Sequence, residues 1–413
     1  MASNSSSSAS STLPFQRDAA FVSSPHGFDD YEAPTAETLE DQAMSVLVDQ
    51  LGSARGRVST GYACGTVGVQ ADQTHYSGGF ALLMPLQQGI GVAVRPGEAS
   101  VVLSGENAQT WTSDGDDPPA WVVAVHRIVQ ELFPEQSLEV AVVSTVPSVC
   151  RDGYLAALAV ALIRALRSLD LPASVDLGNV QSLRDDLIPL LAAELGTAVN
   201  RPYGSAYLLA TFAGADPAFT LVDTTTREHL PVETEARNEL RWAIFDPVTQ
   251  DPRAPSFHRE RQQQADDALR RLRTTDFPAL EAFRDLDYRD LEDALELLPE
   301  PIRPVVRHLV TENHRVQKHV AAMRRGDWQM IGGLLLMSHA SQRDEWNGTS
   351  PAADALVAEA ETRTHDGLYG ACMTGRSGAV LVTGRPNAFE EGLRHVSEAV
   401  TPVLGHAPRI LKP

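Results

Sequence analysis

The sequence predicts an α+β protein folded in two lobes that meet near Asp223, and three patterns predict it. Short apolar runs broken by Gly and Pro, namely Val67–Val69, Phe80–Met84, Gly89–Val94 and Ala99–Leu103, read as strands of one sheet. Leu155–Leu169 is apolar around most of its circumference, the mark of a helix buried on nearly every face. From Ser350 onward helical and strand-like segments alternate, which indicates that the second lobe has its own sheet and helices.

The remaining elements follow in chain order. Residues 1–38 are rich in Ser, Pro and Asp without periodicity, so a disordered lead-in is expected; it lacks the basic start and apolar run of a signal peptide. Leu39–Leu51 carries apolar residues at helical spacing and stops at Gly52. Trp121–Phe133 reads as a helix, Ser137–Val143 as a strand and Gln181–Leu195 as a helix. Phe219–Val222 and Leu240–Phe245 read as strands, and Ser256–Arg273 as a polar helix whose charged face is solvated. Ala282–Leu298 is expected to hold two further helices with acidic faces, followed by helices over Pro304–Arg325 and Trp328–Glu345. Ser350–Thr362 and Glu390–Val400 are the last helices, with strands at Ala371–Met373 and Ala379–Thr383 between them. The lobes are then 39–223 and 224–413, with no internal repeat.

Composition narrows the function classes. Of 413 residues, 43% are apolar and 21% charged, which is ample for a large core. Lys and Arg total 34 against 54 Asp and Glu, a formal charge of −20 that disfavours nucleic acid and anionic membrane surfaces as partners. The only lysines are Lys318 and Lys412; salt adaptation and GC-rich coding account for that skew equally well. No run of about 18 apolar residues is present, so no membrane span and a cytoplasmic location are expected. Cys64, Cys150 and Cys372 are too widely spaced for a local zinc knuckle or a disulfide framework.

Three stretches carry a specific likeness. Gly65-Thr66-Val67-Gly68-Val69-Gln70-Ala71-Asp72-Gln73-Thr74-His75-Tyr76-Ser77-Gly78-Gly79-Phe80 resembles, without a gap, the galactokinase signature G-R-V-N-L-I-G-E-H-T-D-Y-N-G-G-F. Ser338-His339-Ala340-Ser341-Gln342-Arg343-Asp344, with Ser350-Pro351 and Asp354-Ala355-Leu356, is similar to S-H-x-S-L-R-D…P-E-L-D-A-L. Gly370-Ala371-Cys372-Met373-Thr374-Gly375 then resembles G-A-R-M-T-G-G-G-F-G-G. The resemblance, to galactokinases within the GHMP superfamily of small-molecule kinases, covers roughly Leu39 to Gly384. It implies a two-lobed GHMP-kinase fold with a ferredoxin-like C-terminal unit, with ATP and sugar in the cleft between the lobes.

The residues that do the family's chemistry do not carry over. The signature arginine, which the resemblance assigns to charge stabilisation at the transferring phosphoryl group, falls on Thr66, whose neutral hydroxyl cannot do that work. The catalytic aspartate of C-G-I-M-D-Q falls on Tyr207, a phenol in place of a carboxylate. The phosphate loop P-x-G-x-G-L-S-S-S-A-A is replaced by Pro147-Ser148-Val149-Cys150-Arg151-Asp152-Gly153-Tyr154-Leu155-Ala156-Ala157. Asp152 is expected there as an N-cap, satisfying the amides that would otherwise bind phosphate and repelling the anion. Of the third motif, Thr374, Gly375 and Gly378 remain, around Arg376 and Ser377.

These losses together point to a kinase fold without phosphotransfer, acting as a sugar-sensing or interaction module with no cofactor expected. The resemblance places the sugar against Asp72, Gln73, His75 and His258, all polar and able to hydrogen-bond a sugar or polyol. The rival reading is an active ATP-dependent sugar kinase that uses Mg-ATP. It would need Arg151 or Arg376 as a new phosphate cation and Asp72 or Asp152 as a new carboxylate. A third is a lyase-type enzyme using His75 or His258 as acid or base. Cys64, Cys150, Cys372 and His75 lie in motifs that face one cleft, but buried cysteine ordinarily behaves as a small hydrophobe and no metal is expected.

Overall fold

The computed structural model describes residues 31–53, 56–70, 73–105, 109–112, 117–169, 171–216, 218–234, 239–248 and 255–413. Most of the expected lead-in, residues 1–30, lies outside the described residues, as does Asp72. Helix α1 (Ala36–Leu51) opens on an N-cap in which Thr35 accepts from the Thr38 amide, three residues earlier than the apolar periodicity begins.

The first lobe is built on a seven-stranded sheet. Its strands are β1 (Ser59–Gln70), β2 (Phe80–Pro96), β3 (Val101–Ser104), β4 (Thr110–Thr112), then β5 (Leu138–Ser144) after helix α2 (Ala120–Leu132). Strand β2 organises the sheet: β1 pairs along almost its full length, while β5 pairs with its second half and β6 (Thr220–Asp223) with its first. The two runs expected at Phe80–Met84 and Gly89–Val94 are thus one strand, because the ladder to β1 continues past Pro85, which is paired with Thr66. All pairs are antiparallel except β3 with β5.

Helix α3 (Arg151–Arg167) lies on β1 and β2 and is buried from Asp152 to Ile163. Its burial matches the expectation from its composition, but it begins four residues earlier than expected. Helix α4 (Ile188–Val199) follows the helical turns at 180–187, and α5 (Ala206–Ala213), which the sequence reading left out, packs on α3. Strand β7 (Glu228–Pro231) pairs with β6, so the first sheet continues beyond Asp223 to Pro231.

The second sheet begins at β8 (Arg241–Asp246). Helix α6 (Pro255–Arg273) turns Ala265, Ala268 and Leu272 inward while Arg270 pairs with Asp267 outside. The two helices expected over Ala282–Leu298 are one short helix, α7 (Leu291–Glu296), preceded by 3₁₀ turns, since Asp285 and Asp287 bond to local backbone amides instead of continuing a helix. Helices α8 (Arg303–Arg325), α9 (Trp328–Ser341) and α10 (Pro351–Thr362) lead to β9 (Leu368–Thr374) and β10 (Ala379–Gly384), and α11 (Phe389–Leu404) leads to β11 (Arg409–Leu411). The strand order β11-β8-β10-β9, wholly antiparallel with helices inserted after β8 and β10, is the ferredoxin-like arrangement.

One large core runs through the first lobe and reaches the second at Val316, Ile331, Leu335, Cys372 and Leu381. A separate core fills the space between the second sheet and α10 and α11. His339 accepts from the Met373 amide at 3.2 Å and pairs with Asp354 at 3.1 Å, a structural role that joins α9, α10 and β9. Among the described residues no helix is long and apolar enough to cross a membrane.

Candidate functional site

The junction of the lobes is assembled from five segments. The loop after β1 supplies Gln73, His75 and Tyr76; the start of α3 supplies Arg151, Asp152 and Gly153. The chain between α4 and α5 supplies Arg201, Tyr203 and Gly204, and α5 supplies Tyr207. The turn from β9 to β10 supplies Thr374 and Arg376, with Gly375 and Gly378 both at positive φ.

Asp152 sits at the centre and is 3% exposed. The Arg376 guanidinium holds it bidentately, Nε to Oδ2 at 3.0 Å and Nη2 to Oδ1 at 2.9 Å. Arg201 Nη2 donates to the same Oδ1 at 3.2 Å. Arg376 also donates to the Pro202 carbonyl at 2.8 Å, and Tyr203 donates to the Asp152 carbonyl at 2.6 Å. Burial by itself would raise the Asp152 carboxyl, but Arg376 and Arg201 hold it far below the ordinary carboxylate range. The carboxylate is therefore ionised and bound to two cations in the interior, one on each side of the cleft.

This corrects the expectation that Asp152 caps α3. Cys150 occupies the N-cap position without a side-chain capping bond, and Asp152 lies within the first turn with its carboxylate turned to the arginines. The helix can approach β1 this closely because residue 153 is glycine; a Cβ there would collide with the Thr66 carbonyl oxygen. Thr66 itself is 1% exposed, with its hydroxyl 3.4 Å from that of Thr211. Thr374 donates to the Gly68 carbonyl at 2.7 Å, fastening the second lobe to β1.

The space left between Thr66, Val149, Cys150, Asp152, Tyr207 and Thr374 is about 10 Å³, room for a single water at most. Arg151, at the first helical position, is partly exposed, whereas Arg376 is fully engaged with Asp152 and stacks 5.7 Å from the Tyr76 ring centroid.

The expected sugar-contacting residues that are described are buried: Gln73 is 1% exposed, and His75 and His258 are each 2% exposed. Gln73 accepts from the Tyr76 hydroxyl at 3.0 Å. His75 stands edge-on to Tyr76 and Tyr207, with ring centroids 4.8 and 5.4 Å away, and its backbone lies against Gly204, where a Cβ would collide with the His75 carbonyl. Neither ring nitrogen of His75 or of His258 has a hydrogen-bond partner among the described residues. Burial and the nearby Arg376 pull both imidazoles down to about 3, so both are neutral at pH 7. Each presents one donor and one acceptor without a mate.

The cysteines do not assemble with His75. Cys372 donates to the Met373 carbonyl and receives a contact from Gln342, Cys64 is buried with its thiol pushed up by burial, and Cys150 lines the small cavity. Among the described residues no group of three or more His, Cys, Asp or Glu side chains is placed to hold a metal ion.

Sequence reasoning singled out Asp152 and Arg376 separately but missed Arg201 and Tyr203. One signal was available: a carboxylate inside an otherwise apolar helix requires a buried cation somewhere in the chain.

No family model matches the chain. It is similar to the galactokinase of Roseiflexus sp. strain RS-1, 27% identical over 345 residues that span 81% of this chain and 85% of that protein. A shorter match, to the galactokinase of Streptomyces coelicolor, is 36% identical over 137 residues, 32% of this chain and 35% of that one. Among solved structures, Lactococcus lactis galactokinase complexed with galactose superposes with a TM-score of 0.74 at 20% identity, covering 89% of this chain and 95% of that chain. Methanococcus jannaschii mevalonate kinase superposes with a TM-score of 0.52 at 11% identity, covering 87% and 98%.

Proposed function

Because this chain is a galactokinase-like protein with the GHMP-kinase fold, we propose that it has exchanged phosphotransfer for a sugar- or polyol-sensing role in the cytoplasm. The observation that carries the reading is the buried Asp152–Arg376–Arg201 cluster at the start of α3. A phosphate bound there would have to displace a carboxylate from two guanidiniums and meet a negative charge in its place. Thr66 supplies no positive charge for a transferring phosphoryl group, and Tyr207 no carboxylate for a sugar hydroxyl. No Mg-ATP requirement follows.

Sensing rests on a different pair. The unmated imidazoles of His75 and His258 offer neutral donor–acceptor sites of the kind that hydroxyl groups satisfy, and the Lactococcus lactis relative is complexed with galactose. Since both rings are buried, a ligand reaches them only when the lobes part, so its binding would be coupled to lobe position.

Thermal unfolding of the full chain with Mg-ATP, galactose and a panel of monosaccharides and polyols, each alone, tests both halves. A ligand at about 100 times its dissociation constant adds roughly 2.7 kcal/mol. The expected result is a shift with a sugar or polyol, abolished in His258→Phe, and none with Mg-ATP. A Mg-ATP shift would favour the rewired kinase, and no shift with any sugar or polyol would remove the sensing role.

A further inference from the structure

A helix at a protein surface ordinarily carries charge on its outer face, and α9 does not. Its 14 residues include no Asp, Glu, Lys or Arg, yet one side of it is open to solvent. That side runs through Met330, Gly333 and Met337, with Met330 40% and Met337 57% exposed. Among the described residues no other helix or strand exposes two large apolar side chains. A Cβ at Gly333 would meet nothing within 4 Å, so a notch separates the two methionines.

The outer face of α8 runs alongside. Arg325 Nη2 lies 3.7 Å from Met330 Sδ at one end of the helix pair, and Arg307 Nε lies 4.0 Å from Glu345 Oε1 at the other. Between these ends α8 exposes Lys318, Arg324 and Arg325, while its one acid, Glu312, is buried against Arg315 and Ser338. None of the three cations has a carboxylate partner among the described residues. The nearby acids are engaged: Asp327 accepts from the Met330 amide at 3.1 Å, and Asp344 is held bidentately by Arg343 at 2.8 and 3.0 Å. An apolar strip thus has a basic border, in a chain of net charge −20.

We infer that the α8–α9 face docks an acidic amphipathic helix of a partner protein. Apolar side chains at helical spacing would lie over Met330, the notch at Gly333 and Met337, whose flexible thioethers adapt to such contacts. Acidic side chains at the edge of that helix would meet Lys318, Arg324 and Arg325. Charge selects this occupant over two others. A second copy related by a two-fold axis would bring the same unpaired cations to the interface, and an anionic membrane would have to accept a chain of net charge −20. The inference goes beyond the sensing role and can fail separately from it, because it uses neither Asp152 and its arginines nor His75 and His258.

The probe is a fluorescein-labelled synthetic helix of about four turns, with Leu along one face and Glu on the others. Its binding to the full chain is followed by anisotropy beside a counterpart in which every Glu is replaced by Lys. Nonspecific attraction to so acidic a chain would favour the Lys peptide, so the sign of the preference is diagnostic. Expected is saturable binding of the Glu peptide at one site per chain, roughly tenfold tighter than the Lys peptide. Met337→Glu should weaken it roughly tenfold, and Arg324→Glu combined with Arg325→Glu should abolish the preference. Melting temperatures should hold in both variants, since all three side chains are exposed. Glu-peptide binding that survives Met337→Glu, a preference for the Lys peptide, or no saturable binding would overturn the proposal. A dimer in sedimentation that Met337→Glu dissolves would reassign the face to a second copy. Cosedimentation with phosphatidylserine vesicles, lost on the double arginine substitution, would reassign it to a membrane.

Discussion

At Asp152 a single carboxylate decides the character of the cleft. It is ionised, almost fully buried and shared between Arg376 and Arg201, so its removal would leave two guanidiniums in the interior without a counter-charge. Breaking such a cluster from one side costs about 3–5 kcal/mol, and Asp152→Asn is expected to lower the denaturation free energy by that amount in urea titrations. Gly153→Ala tests the neighbouring close approach: its methyl would meet the Thr66 carbonyl, and a loss of about 1–3 kcal/mol is expected in the same measurement. Asp152 was legible in the sequence as a carboxylate at the entry to an apolar helix; its partners were not. Arg201 and Arg376 stand 49 and 224 residues away, and no periodicity links positions that meet only once the chain has folded. The capping role expected for Asp152 failed for the same reason, because local propensity was outweighed by two distant cations.

Helix α3 is the element on which the first lobe depends. Leu162 is fully buried between the sheet and the neighbouring helices, and Leu162→Ala is expected to cost about 2–5 kcal/mol, measured by the shift in denaturant midpoint. An exposed-helix substitution such as Glu361→Ala in α10 should change the midpoint little. Elements with a clear pattern, one-faced in α2 and α8 and apolar all round in α3, were legible in the sequence, as was the alternation in the second lobe that became the ferredoxin-like sheet. The elements it hid have physical reasons. Helix α5 follows Pro202 and Gly204, which read as loop, and its eight residues are too few to display a period. Strand β2 was divided by Pro85 and Gly89, yet pairing on both sides keeps it continuous. Strand β7 is exposed along its length and shows no apolar face at all.

Across the whole molecule, buried histidines set the response to acid. Burial pulls His75, His258 and His319 down to about 3 and His308 to about 4, against an ordinary value of 6.5. The unfolded chain takes up these four protons as pH falls through 6.5, while the folded chain refuses them until about 4 or 3, so stability is greatest above 6.5 and declines below it. Four such groups give a slope approaching about 5 kcal/mol per pH unit near pH 5. Asp152 and Glu312, held below their ordinary values, add a further loss only below about pH 4. Unfolding midpoints recorded from pH 8 to 5 should therefore fall steeply below 6.5, and a flat profile would mean that the histidines find partners or water in solution.

Phosphotransfer itself is the most direct test of the account. Purified protein, incubated with Mg-ATP and galactose while ADP release and Mg-ATP binding are followed together, should show neither if, as proposed, Asp152 and its two arginines stand where a triphosphate would have to bind. Saturable Mg-ATP binding with galactose-dependent ADP release would contradict it and make Arg376 a phosphate-binding residue that leaves Asp152 when nucleotide arrives.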